Sequence, residues 1–157
     1  MRTRTSRSLV YLGAVLGIIV SGYAGAEFYD ASLAKACTVN SVVSCSKILG
    51  SGLTTTFGVQ DWIWGMAGFV VILALGALAE LRPGDAGIAY FLLLVTTAGV
   101  AFSVYFGYVE IVEIGGVCPV CVTAYLMGVV AWVGSIGLAR RAYRRAHRVS
   151  VDAAPAA

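Results

Sequence analysis

Residues 115–128 read GGVCPVCVTAYLMG, a stretch in which two cysteines and a proline open an almost wholly apolar run. The run covers about residues 117–139, and about 20 apolar residues are what a helix needs to cross a bilayer. Pro119 suits the first helical position, where the N–H that proline lacks would have no partner. We therefore predict a membrane-spanning helix with Cys118 at its start and Cys121 on the same face, nearly one turn deeper.

Three earlier stretches have the same length and character, at about residues 9–29, 62–81 and 88–109. Pro83 and Gly84 separate the second from the third, which predicts a tight turn between antiparallel helices. Apolar residues make up 59% of the 157 residues and charged residues 12%, about half of the usual charged share. The predicted fold class is all-α, an integral membrane four-helix bundle over residues 1–148, followed by a disordered tail at 149–157.

The first span also resembles a cleavable signal peptide, because arginines precede its apolar core and the small residues 24–26 (AGA) follow. The apolar run continues to span length, which favours a retained helix. A mature N-terminus at Glu27 would contradict the four-span prediction.

Positive charges predict the orientation of the bundle. Eight arginines flank the first and last spans: Arg2, Arg4, Arg7, Arg140, Arg141, Arg144, Arg145 and Arg148. Arg82 lies between the second and third spans, whereas the other loops carry only Lys35 and Lys47. Both termini are therefore expected in the cytoplasm, with the long loop between helices 1 and 2 outside the cell membrane. Glu110 and Glu113 are expected in a short solvated turn on the same outer side.

The basic C-terminal run is a poor candidate for nucleic-acid binding, because it directly follows a span and lacks interleaved aromatic residues for base stacking. Membrane lipid, and no nucleic acid, is the expected surrounding of this chain.

All four cysteines fall on the predicted outer side, where disulfides form and persist. A zinc site is disfavoured, and no metal is expected, because there is one CxxC pair and the sole histidine, His147, lies in the cytoplasmic segment. Inert structural disulfides remain an alternative. A redox-active system is favoured, because a CxxC disulfide closes a short loop and exchanges readily.

The start of the fourth helix suits redox chemistry in a membrane. The positive end of the helix dipole is expected to lower the pKa of the Cys118 thiol. Cys118 would lie near water and Cys121 nearer the lipid. That layout suits the passage of electrons from a water-soluble dithiol to a lipid-soluble acceptor, usually a quinone.

Several motifs together resemble the vitamin K epoxide reductase family, including its microbial members that drive disulfide formation. The loop reads CTVNSVVSCS with Cys37 and Cys45, Ser51 follows in SCSKILGS, and the fourth helix reads CPVCVTAY. FGVQDWIWG at residues 57–65 is similar to the family segment that runs into the quinone pocket. The likeness extends from the first helix to the fourth.

The resemblance implies a route for electrons and a set of site residues. Cys37 would meet a separate, extracytoplasmic thioredoxin-like partner, Cys45 would exchange with Cys118, and Cys121 would deliver electrons to a quinone of the menaquinone, ubiquinone or vitamin K type. The partner is expected to be separate because a basic cytoplasmic segment, and not a fused thioredoxin-like domain, follows the fourth helix.

The remaining expectations concern residues around the cysteines. Tyr125, Asp61 and Trp64 would contact the quinone, and Ser51 would support the loop cysteines. Asp61 stands where vertebrate members have an asparagine, and it can donate a hydrogen bond only when protonated. Interfacial anchoring is the alternative for Trp64, packing inside the bundle for Tyr125 and an ionised boundary residue for Asp61.

The sequence thus predicts a membrane thiol:quinone oxidoreductase that supports disulfide formation. The alternative is a disulfide-stapled structural membrane protein without redox turnover. A transporter is disfavoured, because the spans carry no charges apart from boundary residues such as Glu27.

Overall fold

The computed structural model describes residues 3–83 and 85–152. Gly84 of the predicted turn, Arg2 and residues 153–157 of the predicted tail lie outside the described residues. The tail was expected from residue 149, whereas the last helix continues to Asp152. Four long helices confirm the predicted all-α bundle, and each is long and apolar enough to cross a membrane: α1 (Thr3–Tyr29), α4 (Asp61–Leu81), α5 (Ala86–Tyr108) and α6 (Pro119–Asp152).

Small residues let α1 approach α6 closely. A Cβ atom added at Gly13 would lie 2.6 Å from the backbone oxygen of Met127, and one added at Gly134 would lie 2.7 Å from that of Ser6. Gly17, four residues after Gly13, faces the Phe69 ring of α4 instead. Glycine at these positions allows the backbone-to-backbone packing that stabilises helices within a bilayer, where lipid removes most of the hydrophobic driving force.

The core of the bundle lies midway along these helices. Its buried members are Val10, Ala14, Phe69, Ile72, Leu92 and Ala131. One polar pair crosses this core, since the hydroxyls of Thr96 in α5 and Ser135 in α6 lie 2.8 Å apart. Both side chains are buried, and each hydroxyl also bonds a carbonyl of its own helix, Leu92 O at 2.9 Å and Trp132 O at 2.7 Å, so the pair leaves no unsatisfied hydroxyl in the apolar interior.

One end of the bundle, the arginine end, holds the short α4–α5 connection. Asp85 caps α5 by accepting a hydrogen bond from Gly87 N at 2.9 Å. Arg145 donates to the Pro83 carbonyl at 3.1 Å, and Arg7 lies 3.7 Å from Glu80. These contacts bring the two arginine-bearing termini beside the same connection, as the four-helix topology requires.

The opposite end, the cysteine end, is covered by the segment between α1 and α4. It contains two short helices, α2 (Ala31–Ala36) and α3 (Cys45–Leu49), and a hairpin of strands β1 (Thr55–Thr56) and β2 (Val59–Gln60). The turn between the strands places Phe57 at φ +54° and Gly58 at φ +78°. The segment is attached to the start of α6 by a parallel bridge between Val43 and Val117.

The chain from α5 to α6 differs from the predicted solvated turn. A π-helix (Val109–Ile114) continues α5 and ends at Gly115, whose φ of +64° is the left-handed conformation that favours glycine. The prediction for Glu110 was wrong, because this side chain is only 4% exposed, whereas Glu113 is exposed as expected. The wider π turn rotates Glu110 towards the bundle, and such turns are frequent at functional sites.

Candidate functional site

Both cysteine pairs meet at the cysteine end of the bundle. Cys37 ends α2 and forms a disulfide with Cys45, the first residue of α3, with their Cα atoms 5.7 Å apart. Cys118 and Cys121 are free thiols, and the expectation that Cys118 lies near water was wrong, because its side chain is fully buried under the outer segment while that of Cys121 is half-buried. The Sγ atom of Cys118 lies 3.3 Å from the Sγ atom of Cys45, although 73 residues separate them in sequence. Atoms about 3–3.5 Å apart are at the distance of a near-attack geometry.

Local backbone structure fixes this sulfur contact. Ser44 caps α3 by accepting a hydrogen bond from Lys47 N at 3.2 Å, and Ser44 N donates to the Val117 carbonyl at 3.1 Å. Lys47 also binds the segment that precedes α6, since its Nζ donates to Gly115 O at 2.9 Å. Cys45 and Cys118 follow directly after Ser44 and Val117, so the bridge between the two segments sets their sulfurs side by side.

The Cys118 thiol has an environment that favours its thiolate. A hydrogen bond from the Cys121 side chain lowers the pKa of Cys118, and this effect exceeds the opposing desolvation. Cys121 N also donates to Cys118 Sγ at 3.3 Å at the first turn of α6. Negative charge on Glu110 acts in the other direction and raises this pKa. The net lowering is in the predicted direction, and its main cause is the neighbouring thiol.

A cavity of about 360 Å³ lies beside Cys121, between the four long helices and the hairpin. That volume lies within the usual range for small-molecule sites, about 300–1,000 Å³. Cys121, Asp61, Trp64 and Tyr125 all line it. Most other lining side chains are apolar, and the cavity fits an apolar ring system with a few polar substituents.

Glycines make room for this cavity. Gly68 in α4 and Gly99 in α5 line it, and a Cβ atom added at either residue would meet nothing within 4 Å. Gly128 in α6 also lines the cavity, with its nearest neighbour, the Ser103 hydroxyl, 3.9 Å from the added atom. The cavity therefore exists because α4, α5 and α6 each place a glycine, which has no side chain, at its wall.

The predicted quinone-contacting residues are brought together at the wall of the cavity. Asp61 accepts a hydrogen bond from Thr56 Oγ1 at 2.8 Å, while its Oδ2 atom is buried without a partner in residues 3–83 and 85–152. Trp64 donates from Nε1 to the Thr56 carbonyl at 3.2 Å and is half exposed. The hydroxyl of Tyr125 donates to Glu110 Oε1 at 2.7 Å.

Ser51 contacts the helix that carries Cys45 and none of the cysteines. Its hydroxyl donates to the Ile48 carbonyl at 2.8 Å and accepts from Leu53 N at 3.3 Å. These bonds hold the end of α3, whose Ile48 side chain is buried against Cys45 and Cys118. Ser51 thus contacts the cysteines only through α3.

Two carboxyl groups near the cysteines were not among the expected site residues. Glu110 Oε2 accepts from Cys118 N at 3.2 Å, so Glu110 joins the redox pair to Tyr125. Glu27 is buried, and one of its oxygens lies within 4.8 Å of the sulfurs of both Cys37 and Cys45. The sequence did show each of these glutamates isolated in or beside an apolar run, which could have marked them as functional. Both lie at predicted span boundaries, however, where a glutamate is ordinarily exposed. Cys37 and Cys45 are bonded to each other, so their sulfurs are not free to bind a metal with Glu27 in this state.

The model of a known family, described as the vitamin K epoxide reductase family, matches residues 8–136 of this chain. The matched part is most of the chain and extends from α1 into α6. It includes all four cysteines and every residue named above that lines the cavity.

Proposed function

This chain belongs to the vitamin K epoxide reductase family, and from that membership we propose that it is a membrane thiol:quinone oxidoreductase that supports disulfide formation. The observation that carries the proposal is the 3.3 Å contact between Cys45 and Cys118. It joins the disulfide of the outer segment to a thiol pair whose second member, Cys121, lines a cavity of ligand size.

The proposed cycle begins at Cys37, which is half-buried, whereas Cys45 is fully buried. A thiolate of an external thioredoxin-like partner attacks Cys37, and a second partner thiol completes reduction of the Cys37–Cys45 disulfide. The partner leaves with its own disulfide. Two electrons have then entered the protein as the reduced pair Cys37 and Cys45.

The second exchange runs through the sulfur contact. Cys45 attacks Cys118 of an oxidised Cys118–Cys121 pair, giving a Cys45–Cys118 mixed disulfide and releasing Cys121. Cys37 then attacks Cys45, which restores the Cys37–Cys45 disulfide and releases Cys118. The structure, with the outer pair Cys37–Cys45 oxidised and the helix pair Cys118 and Cys121 reduced, corresponds to the product of this step.

The last step takes place at the cavity. Cys118 and Cys121 give two electrons to a bound quinone and form their own disulfide, and the quinone leaves as quinol with two protons. Cys121 faces the acceptor because it lines the cavity. Tyr125 and Asp61 orient the quinone oxygens, Trp64 covers the ring, and Glu110 positions Tyr125 through their 2.7 Å hydrogen bond.

The proposed location is a cell membrane with both termini in the cytoplasm. The arginine end carries the arginines of both termini, whereas the cysteine end carries Lys35 and Lys47. The positive-inside rule therefore places the cysteines outside, where a thioredoxin-like partner can reach Cys37.

The proposal is tested with the purified protein, a reduced thioredoxin-like dithiol and a quinone. We expect one quinol and one partner disulfide per turnover, and a comparison of menaquinone with ubiquinone identifies the preferred acceptor. The Cys118→Ala/Cys121→Ala variant is the matched control and should give no quinol and at most one partner disulfide per protein, from reduction of its own Cys37–Cys45 disulfide. Partner oxidation that proceeds equally well without quinone would contradict the proposal.

The same preparation discriminates against a stapled structural protein. Thiols are tagged by mass after incubation with the reduced partner, with quinone, or with both. Static disulfides would give one tagging pattern throughout, whereas the proposed enzyme changes its pattern with each addition.

A further inference from the structure

Glu27 near the end of α1 is a buried acid without a hydrogen-bond partner. Its side chain is 2% exposed, and both carboxyl oxygens lack a partner among the described residues. Burying an unpaired carboxylate costs far more free energy than burying the neutral acid, so the surroundings favour the protonated form. A buried carboxyl without a hydrogen-bond partner lowers the stability of the fold, which points to a functional role for Glu27.

The position of Glu27 next to the outer disulfide, Cys37–Cys45, indicates what this role is. One carboxyl oxygen and the Sγ atoms of Cys37 and Cys45 all lie within 4.8 Å of one another. Glu27 is therefore a direct neighbour of both sulfurs of this disulfide.

Cys45 needs a proton source that water does not supply. Its side chain is 0% exposed and packs against Ile48 and Cys118. When a thiolate attacks Cys37, Cys45 leaves as a thiolate in apolar surroundings, where an unpaired charge is costly. Glu110 is already engaged, since its two oxygens accept from Cys118 N and from the hydroxyl of Tyr125. Among the described residues, Glu27 is the carboxyl that lies beside Cys45 with both oxygens unpartnered.

We propose that Glu27 is the proton donor and acceptor for Cys45 during thiol–disulfide exchange. The proposal deepens the proposed function and rests on it for the direction of electron flow. The chemistry of the outer disulfide can nevertheless be measured without any quinone.

The protons and electrons balance in each direction. A thiolate forms a bond to Cys37 Sγ, the Cys37–Cys45 bond breaks, and the electron pair goes to Cys45 Sγ, which takes the proton of Glu27. Glu27 is left as a carboxylate beside the Cys45 thiol. It takes the same proton back when Cys45 attacks Cys118, and Cys121 receives the electron pair of the broken Cys118–Cys121 bond.

The experiment isolates the outer disulfide in a full-length Cys118→Ala/Cys121→Ala background. Reduction of the remaining disulfide by dithiothreitol is followed by mass-tagging of thiols, at matched dithiothreitol thiolate concentration in H₂O and D₂O. Glu27→Gln keeps the shape but has no acidic proton, and Glu27→Asp keeps the acid. Glu113→Gln, on the exposed part of the π-helix at the same end, is the control.

Proton donation of this kind contributes about 100-fold or more to a rate. We expect Glu27→Gln to slow reduction by about that factor, Glu27→Asp to recover most of the rate, and Glu113→Gln to match the parent. The parent should show a solvent deuterium isotope effect that Glu27→Gln loses. Thermal unfolding of each variant separates a rate effect from a folding defect.

Reduction of Glu27→Gln at the parental rate would overturn the proposal. Should that variant not fold, the absence of a solvent isotope effect in the parent would overturn it equally. A failure of quinone reduction by the wild type, with these rates as expected, would instead count against the proposed function alone.

Discussion

At the scale of single residues, the chemistry depends on two sulfur atoms held 3.3 Å apart by neighbouring backbone. Cys45 is the first residue of a capped helix, and Cys118 directly precedes the proline that begins α6. Neither position depends on a flexible loop tip, because the Val43–Val117 bridge joins the two segments. Exchange between the pairs thus requires little movement of the chain.

The two pairs should respond differently to loss of one thiol. Cys121→Ala should abolish quinone reduction with any reductant, because Cys121 is the thiol that lines the cavity. Cys37→Ala should block turnover driven by the protein partner and retain turnover driven by dithiothreitol, which can reduce the helix pair directly. Quinol formation measured with both reductants checks this pattern. Full activity of Cys121→Ala would show that Cys121 is not the thiol that reduces the quinone.

The acidity of Cys118 should shift in opposite directions in two variants. Its pKa is lowered mainly by the hydrogen bond from Cys121 and is raised by the charge of Glu110. Cys121→Ala removes the hydrogen bond, so the thiolate of Cys118 should form at higher pH than in the wild type. Glu110→Gln removes a like charge, so the thiolate should form at lower pH.

Thiolate ultraviolet absorbance, titrated with the outer disulfide closed, reports both shifts. Glu113→Gln serves as control, since this exposed carboxyl shows no contact with the thiols among the described contacts. Equal titration curves for Glu110→Gln and wild type would show that Glu110 carries no charge next to Cys118.

At the scale of elements, the bundle depends on close contact between α1 and α6. Gly13→Ala should destabilise the protein by about 1–3 kcal/mol, as overpacking does, because its Cβ would meet the backbone oxygen of Met127 at 2.6 Å and the backbone nitrogen of Ala131 at 2.8 Å. Gly22→Ala on the same helix gains the same helix propensity but meets only the Met66 methyl at 3.4 Å. Thermal unfolding in detergent should show a lower midpoint for the first variant and no loss for the second.

The cavity can be filled without touching a thiol. Gly99→Leu should raise the KM for quinone about tenfold or more, because its side chain enters the space beside Cys121. Gly107→Leu is the matched control, since Gly107 lies on the same helix, has open space at its Cβ and does not line the cavity. Dithiothreitol reduction of the outer disulfide should be unchanged in both. Equal KM values for the two variants would mean that quinone binds elsewhere.

The sequence predicted the four helices well because hydropathy over about 20 residues reports lipid contact directly. The helix ends extend beyond the apolar runs, as with α6, because charged residues continue a helix outside the bilayer core. The π-helix and the inward turn of Glu110 were not predictable, since one extra residue in a helical turn leaves no mark in an apolar pattern. Glu27 was missed for a related reason, because its burial depends on the segment that folds over the end of α1.

At the scale of the whole molecule, the chain has two unlike ends. The arginine end carries positive charge and a tight connection, and the cysteine end carries all four cysteines and both buried glutamates. Topology alone predicted all four cysteines on one side of the membrane, and the structure brings the two pairs together at one end of the bundle. Their direct contact through Cys45 and Cys118 came from the family resemblance, because cysteine spacing does not determine which sulfurs meet.

The proposed electron route is tested most directly by single-turnover oxidation of the fully reduced protein with one equivalent of menaquinone. Rapid quenching and thiol tagging should show a disulfide first at Cys118–Cys121 and then at Cys37–Cys45, with one quinol formed. In Cys45→Ala the disulfide should stay at Cys118–Cys121. Closure of Cys37–Cys45 by quinone at the wild-type rate in a Cys118→Ala variant would contradict the route.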